Sequence, residues 1–392
     1  MTVRSISILG ATGSIGASTL DLVRRNRDAW RVVALTANAN VEELARLAIE
    51  FDAKVAAIAD EAHLPALRDL LAGTGVTAIG GAVALCEAAV QPSDLLVAAI
   101  VGCAGLPPTM AAIEQGGTVA LANKEALVSA GDVMMAAVAR HGATLLPMDS
   151  EHNAIFQCLA GNSLKRVRTI TLTASGGPFR EWTAGQLAQA TPAEAVRHPN
   201  WDMGAKISVD SASMMNKGLE LIEAHHLFPV DLDKIRIVIH PQSVVHSMVE
   251  FVDGSTLAQL GPSDMRVPIA SCMAWPGRMA TPCEPLDLPA LGQLTFEHPD
   301  EVRFPATRLA REAAQAGGAA PAVLNAANEV AVAAFLAGQI GFTQIASSVE
   351  AVMGAFAPAA PACLDDVLAI DAEARMRSSE ILDKSFARTS PV

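Results

Sequence analysis

Seven residues near the start of the chain constrain its fold more than any other stretch. Gly10-Ala-Thr-Gly13-Ser-Ile-Gly16 follows a β-branched run, residues 5–9, and opens an amphipathic one, residues 17–26. Glycines between a strand and a helix let backbone amides approach a pyrophosphate at the helix N-terminus. Gly10, Thr12, Gly13, Ser14, Ile15 and Gly16 are thus candidate nucleotide contacts. The spacing is G-x-x-G-x-x-G rather than G-x-G-x-x-G, and an ordinary glycine-rich turn is the alternative reading.

The pattern that follows supports a parallel sheet. Residues 5–9, 31–36, 55–58, 95–99, 118–121 and 144–146 read as strands, with helices over 17–26, 41–51, 107–115 and 126–140. That is a doubly wound α/β nucleotide-binding domain. The turn after the second strand, Thr36-Ala-Asn38-Ala-Asn40, holds no carboxylate to grip a ribose 2′-hydroxyl, which favours NADP over NAD. After Asp149 the pattern becomes α+β, with strands over 167–173, 235–240, 244–251 and 256–260 and helices over 154–159 and 211–225. Pro276, Pro282, Pro285 and Pro289 mark a linker, and the Ala-rich remainder is helical by period. The expected organisation is 1–149 nucleotide-binding, 150–275 α+β, 276–300 linker and 301–392 helical.

At 392 residues several cores are affordable, and a net charge of −13 without a basic run argues against nucleic acid or anionic lipid as partner. Apolar runs are too broken to span a bilayer, and the N-terminus lacks the apolar stretch of a signal peptide. The six cysteines lie far apart, as reduced thiols in a cytoplasmic protein would. An acidic protein that binds phosphate must therefore use local donors or a metal.

Asp149-Ser-Glu151 stands where the last strand of the first domain ends, and in extended chain both acids face one side. Asn216, Lys217 and Glu220 share a face of the expected 211–225 helix. Three carboxylates without His or Cys beside them suit Mg2+ or Mn2+ rather than zinc. The same acids read equally as a solvated strand end, and Lys217 as a solvated helix lysine. Ser175-Gly-Gly-Pro178 is either a phosphate-cradling turn or a plain bend. His198-Pro-Asn-Trp201-Asp-Met203-Gly204 reads as a lid, or as a loop that its Trp anchors to the core.

Taken in order, Gly10–Gly16, Ala120-Leu-Ala-Asn-Lys-Glu125, Asp149-Ser-Glu-His-Asn-Ala-Ile-Phe156, Ser175-Gly-Gly-Pro-Phe179, the His198 segment, Ser211–Glu220, His240-Pro-Gln-Ser-Val-Val-His246 and Leu324-Asn-Ala-Ala-Asn-Glu329 make the chain resemble the 1-deoxy-D-xylulose 5-phosphate reductoisomerase family. The resemblance implies a homodimer, joined through the sheet of the α+β domain, that turns 1-deoxy-D-xylulose 5-phosphate into 2-C-methyl-D-erythritol 4-phosphate with NADPH and Mg2+, Mn2+ or Co2+. It implies Asp149, Glu151 and Glu220 as metal ligands, and Ser175, Ser211, Asn216 and Lys217 on the phosphate. Lys124, Ser150, Glu151, His198, Trp201 and Glu220 would meet the substrate, with Lys124, Glu151 and His198 catalytic. Asn38, Asn40, Asn123, Glu125, Met203 and Gly204 would join the glycine-rich turn on the cofactor. The family pattern usually has Lys or Arg where Ala39 stands and a small hydroxyl residue where Asp202 stands. The competing readings are an NADP-dependent sugar-phosphate dehydrogenase without rearrangement and a nucleotide sensor without catalysis.

Overall fold

A computed structural model describes residues 3–201 and 203–389, with side chains as far as residue 383, so Asp202 lies outside the described residues. The chain divides into two compact units. The first gathers the chain up to Ala126, Met134–Asn153 and Asp264–Cys283; the second gathers Leu127–Val133, Ala154–Ser263 and the chain from Glu284 on.

The first unit is built on β1 (Arg4–Leu9), β2 (Trp30–Ala37), β3 (Val55–Ile58), β4 (Thr77–Gly80), β5 (Leu95–Ala98), β6 (Thr118–Leu121) and β7 (Thr144–Pro147). They form a parallel sheet in the order β4-β3-β2-β1-β5-β6-β7. Its central strands are near-continuous apolar runs, Ile6, Ile8 and Leu9 being wholly buried, because helices cover both faces. Those helices are α1 (Ser14–Arg25), α2 (Val41–Glu50), α3 (Leu64–Leu70), α4 (Ala82–Ala89), α5 (Leu106–Glu114) and α6 (Lys124–His141). α2 shows why they form: Val41, Leu44, Ala45 and Ala48, at three- and four-residue spacing, are its buried stripe. The strand order reverses between β1 and β5, and in such sheets ligands bind beyond the carboxyl ends of the strands at that point.

The six expected strands are present, whereas β4, α3 and α4 were not anticipated. β4 is a short, half-exposed edge strand, Thr-Ala-Ile-Gly, whose two β-branched residues are too few to stand out beside its glycine. The expected domain boundary after residue 275 also shifts. α12 (Arg266–Ala274) belongs to the first unit and packs on α1, where Arg266 bridges to Asp21 at 3.1 Å and Arg4 donates to the carbonyl of Met273 at 2.6 Å.

The second unit holds a mixed sheet in the order β11-β10-β8-β9, from β8 (Val167–Ala174), β9 (Ile235–Ile239), β10 (Val245–Phe251) and β11 (Thr256–Leu260). Ile155 of α7 (Ser150–Cys158) and Leu221 and Ala224 of α11 (Met215–Leu227) pack with Ile170, Leu172 and Val249 of the sheet. Two single-turn helices, α8 (Ala184–Leu187) and α9 (Pro192–Ala195), each opened by a Thr capping box, lead to α10 (Ala205–Ala212). The helix expected over 211–225 is therefore two helices, because Met214 adopts left-handed backbone, φ +65°.

A short turn of helix, α13 (Leu288–Leu291), interrupts the proline-rich stretch, and α14 (Ala306–Ala316), α15 (Ala320–Leu336), α16 (Phe342–Ala355) and α17 (Leu364–Thr389) follow. They make up the expected helical C-terminal domain. Leu309, Ala310, Val323 and Leu324 pack with Met215, Leu219 and Ile222 of α11, so the helical tail and the α+β sheet share one compact unit.

Candidate functional site

The glycine-rich turn has the geometry a pyrophosphate needs. Gly10 takes φ +82°, and a Cβ there would stand 2.7 Å from the Ala99 carbonyl oxygen. A Cβ on Gly16 would lie 2.4 Å from the Gly10 oxygen, so α1 can start this close to β1 only with glycine. Thr36 fixes the turn: its Oγ1 accepts from Gly10 N–H at 2.9 Å and its carbonyl from Ala11 N–H at 2.7 Å. No side chain caps the N-terminus of α1 at Gly13, and its first turn has no acid, which suits an anion on the helix dipole. Thr12 and Ile15 are half-buried; Gly13 and Ser14 are exposed.

The other expected cofactor residues divide. Asn38, Ala39 and Asn40 are exposed after β2, and Asn40 Oδ1 accepts from Glu43 N–H at 3.3 Å, capping α2. Asn123 is buried and structural: its Nδ2 donates to the Gly102 carbonyl at 2.9 Å and its Oδ1 caps α6 at Ala126 N–H, 3.1 Å. Glu125 is also buried, in the first turn of α6. Met203 is half-buried and Gly204 caps α10.

The segment at Asp149 is not extended, as expected from the strand before it, but opens α7. Asp149 Oδ1 accepts from Glu151 N–H at 3.0 Å and from His152 N–H at 3.4 Å. It thus acts as an N-cap, and helix geometry rather than strand alternation sets the two acids side by side. Lys124 Nζ, itself buried, pairs with Asp149 Oδ2 at 3.1 Å. The Ser150 hydroxyl donates to Glu151 Oε2 at 2.9 Å. His152, wholly buried with Nδ1 3.3 Å from Asp149 Oδ1, is a neighbour that spacing did not single out.

In the second unit the expected phosphate and lid residues gather at the ends of β8 and α10. Ser175 Oγ accepts from Gly177 N–H at 3.1 Å and lies 2.9 Å from His198 Nε2. His198 Nδ1 accepts from Asn200 N–H at 3.2 Å and Trp201 N–H at 3.0 Å, which leaves Nε2 as the ring's donor to Ser175. Burial pushes the imidazole down to about 4, so it is neutral at physiological pH. Asn200 Nδ2 ties this turn to Pro241 O and Ser243 Oγ, at 2.7 and 3.0 Å, and the Trp201 ring lies 6.2 Å from that of His246. The loop is therefore anchored to the His240–His246 motif. Gly177, φ +68°, meets the end of α10 so closely that a Cβ would fall 2.7 Å from the Ser211 carbonyl oxygen.

Asn216, Lys217 and Glu220 do share a face of α11. Lys217 and Glu220 are buried rather than solvated, and both Asn216 Nδ2 and Lys217 Nζ donate to the Glu220 carboxylate. Two donors thus meet this buried carboxylate, and carboxylate oxygen is the donor that a hard cation takes.

Family models match along most of the chain. The 1-deoxy-D-xylulose 5-phosphate reductoisomerase model covers residues 6–131, its C-terminal domain model 145–228, and the DXP reductoisomerase C-terminal domain model 260–377. A 1-deoxy-D-xylulose 5-phosphate reductoisomerase of Zymomonas mobilis is 58% identical over 97% of this chain and 98% of its own. One from Rhodospirillum centenum is 57% identical over 97% and 94%. A solved structure of the Zymomonas mobilis protein in complex with NADPH superposes with a TM-score of 0.93 at 56% identity, covering 97% of this chain and 99% of that one. A DOX-P reductoisomerase in complex with NADPH, fosmidomycin and magnesium gives 0.94 at 43% identity, covering 99% and 100%.

Proposed function

The chain belongs to the 1-deoxy-D-xylulose 5-phosphate reductoisomerase family, and from that premise we propose that the acids and hydroxyls above bind 1-deoxy-D-xylulose 5-phosphate beside NADPH and a divalent cation. The protein is an NADPH- and metal-dependent oxidoreductase that isomerises and reduces this substrate to 2-C-methyl-D-erythritol 4-phosphate, in isoprenoid synthesis. Mg2+ serves as its metal; Mn2+ and Co2+ are proposed substitutes, given the all-carboxylate set.

One observation carries the assignment of the metal: Asp149 and Glu151 stand side by side at the start of α7, and the buried Glu220 of α11 would add a third carboxylate to the set. Bound there, the cation would polarise the ketone and neighbouring hydroxyl of the substrate, and NADPH would supply the hydride. Lys124 sets a positive charge against Asp149, which tempers the field that a phosphorylated substrate meets. Glu151, oriented by the Ser150 hydroxyl, is the proposed proton acceptor. Ser175 Oγ accepts from both His198 and Gly177, so its own proton is left to donate to a phosphate oxygen. Ser211, Asn216 and Lys217 would complete the phosphate contacts, and Trp201 and Met203 would cover substrate and nicotinamide. The glycine-rich turn would take the pyrophosphate.

A homodimer is also proposed. β11 is an edge strand whose Leu257 and Leu260 are exposed, the kind of edge that a second copy covers. No described helix is long and apolar enough to cross a membrane. A cytoplasmic location is proposed, because six widely spaced cysteines without a C-x-x-C pair fit a reducing compartment.

NADPH consumption with 1-deoxy-D-xylulose 5-phosphate, with and without a chelator, tests the reading. Turnover is expected only with metal, and the product is expected to be branched. An unrearranged polyol phosphate would instead mean a simple dehydrogenase, and no NADPH oxidation with any metal a sensor. Glu220→Gln should keep NADPH binding and lose at least about a hundredfold in turnover, since even outer-shell changes cost 10–100-fold. Unchanged turnover at limiting Mg2+ would remove Glu220 from the metal.

A further inference from the structure

The Leu324-Asn-Ala-Ala-Asn-Glu329 stretch lies in α15, a largely apolar helix, yet two of its asparagines are wholly buried. Buried amides are retained where they hold a partner, because an unpaired one is costly. Asn325 Nδ2 reaches Ser129 Oγ at 3.3 Å and Glu329 Oε1 at 3.1 Å, and Glu329 is bridged by Arg375 of α17 at 2.6 Å. Asn328 is aimed elsewhere: its Nδ2 donates to Asp210 Oδ1, 2.8 Å away on α10. The Asp210 side chain is 2% exposed, and its other oxygen pairs with Lys206 at 2.7 Å.

α10 joins two expected parts of the site. Its N-cap is Gly204, directly after Met203 on the nicotinamide side, and its last turn carries Ser211 on the phosphate side. Ser211 follows Asp210 in sequence, and its carbonyl packs against Gly177 with no room for a Cβ. A small displacement of Asp210 therefore moves Ser211 and, through Gly177, the turn that holds Ser175.

We propose that Asn328 is a positioning residue for substrate phosphate, acting through Asp210. Its amide fixes one oxygen of the buried carboxylate while Lys206 neutralises the other, and the two together set where α10 ends. Neither Asn328 nor Asp210 touches the substrate in this account. The inference rests on the function proposed above but concerns a different variable, the placement of Ser211 and Ser175.

The test uses the full-length protein with Asn328→Leu, Asn328→Asp, Asp210→Asn and the exchanged pair Asp210→Asn/Asn328→Asp, which restores an amide facing a carboxylate. Each single variant should raise KM for 1-deoxy-D-xylulose 5-phosphate about tenfold or more while KM for NADPH stays within about twofold, as expected for loss of one hydrogen bond to a charged group. The exchanged pair should recover to within about threefold of the parent, the coupling expected of contacting residues. Inorganic phosphate should protect the parent against thermal unfolding and protect Asn328→Leu less. A parent inactive on the pentulose phosphate would overturn the functional reading, whereas the phosphate protection would still read Asn328. An active parent whose variants keep the substrate KM, or raise both KM values together, or are not rescued by the exchange, would overturn the role of Asn328.

Discussion

His198 accepts two backbone N–H groups on Nδ1, which fixes its tautomer and its direction of donation. Burial holds its folded value near 4, below the ordinary 6.5, so the unfolded chain takes up this proton first as pH falls. The stabilising contribution is complete above about pH 6.5 and is lost between there and about pH 4. Urea unfolding should show that slope, and His198→Gln, which keeps a donor and an acceptor but does not titrate, should flatten it; an identical slope would mean that His198 is not the titrating group. At this scale the sequence identified residue types well but not their employment. Glu220 and Lys217 were placed on one helix face by period, yet both are buried, which period alone does not reveal. The employment of Asn40 was within reach, since an Asn directly before an amphipathic helix with Glu three residues on is a cap signature.

Among elements, the start of α1 is the most exacting. Gly16→Ala would place a methyl group 2.4 Å from the Gly10 oxygen, so helix and strand must part. A loss of about 1–3 kcal/mol in stability is expected from such overpacking. NADPH affinity should fall with it, while protection by inorganic phosphate should persist; thermal melts and NADPH fluorescence titration measure both. Unaltered NADPH affinity would take the cofactor away from this turn. Helices and strands with strong periodicity were legible in the sequence, whereas the break at Met214 was not, since no Gly or Pro marks it. The onset of α7 was obscured because β7 ends only three residues earlier, and its strand signal masked the Asp-Ser-Glu start of a helix.

For the molecule as a whole, the expected succession of domains differs from the compact units because chain order and spatial grouping part company at α12. Without Asp264–Cys283 the outer side of α1 loses its cover, Arg266 no longer bridges to Asp21, and Met273 no longer accepts from Arg4. A fragment of residues 1–153 should therefore melt well below the full chain or fail to stay soluble, by circular dichroism and yield. Adding Asp264–Cys283 through a flexible linker should restore it. A fragment that melts like the full chain would show that α12 adds nothing there. Fold class was readable from the βαβ rhythm alone, but this return was not, because nothing in the 264–283 segment encodes its distant partner.

The late arrival of α12 bears on biosynthesis. A ribosome has already released the seven strands when it is still about 120 residues short of the helix that finishes their outer layer, a wait on the order of ten seconds at ordinary elongation rates. During that interval the nascent sheet carries a helix, α1, whose partner Arg266 has yet to emerge.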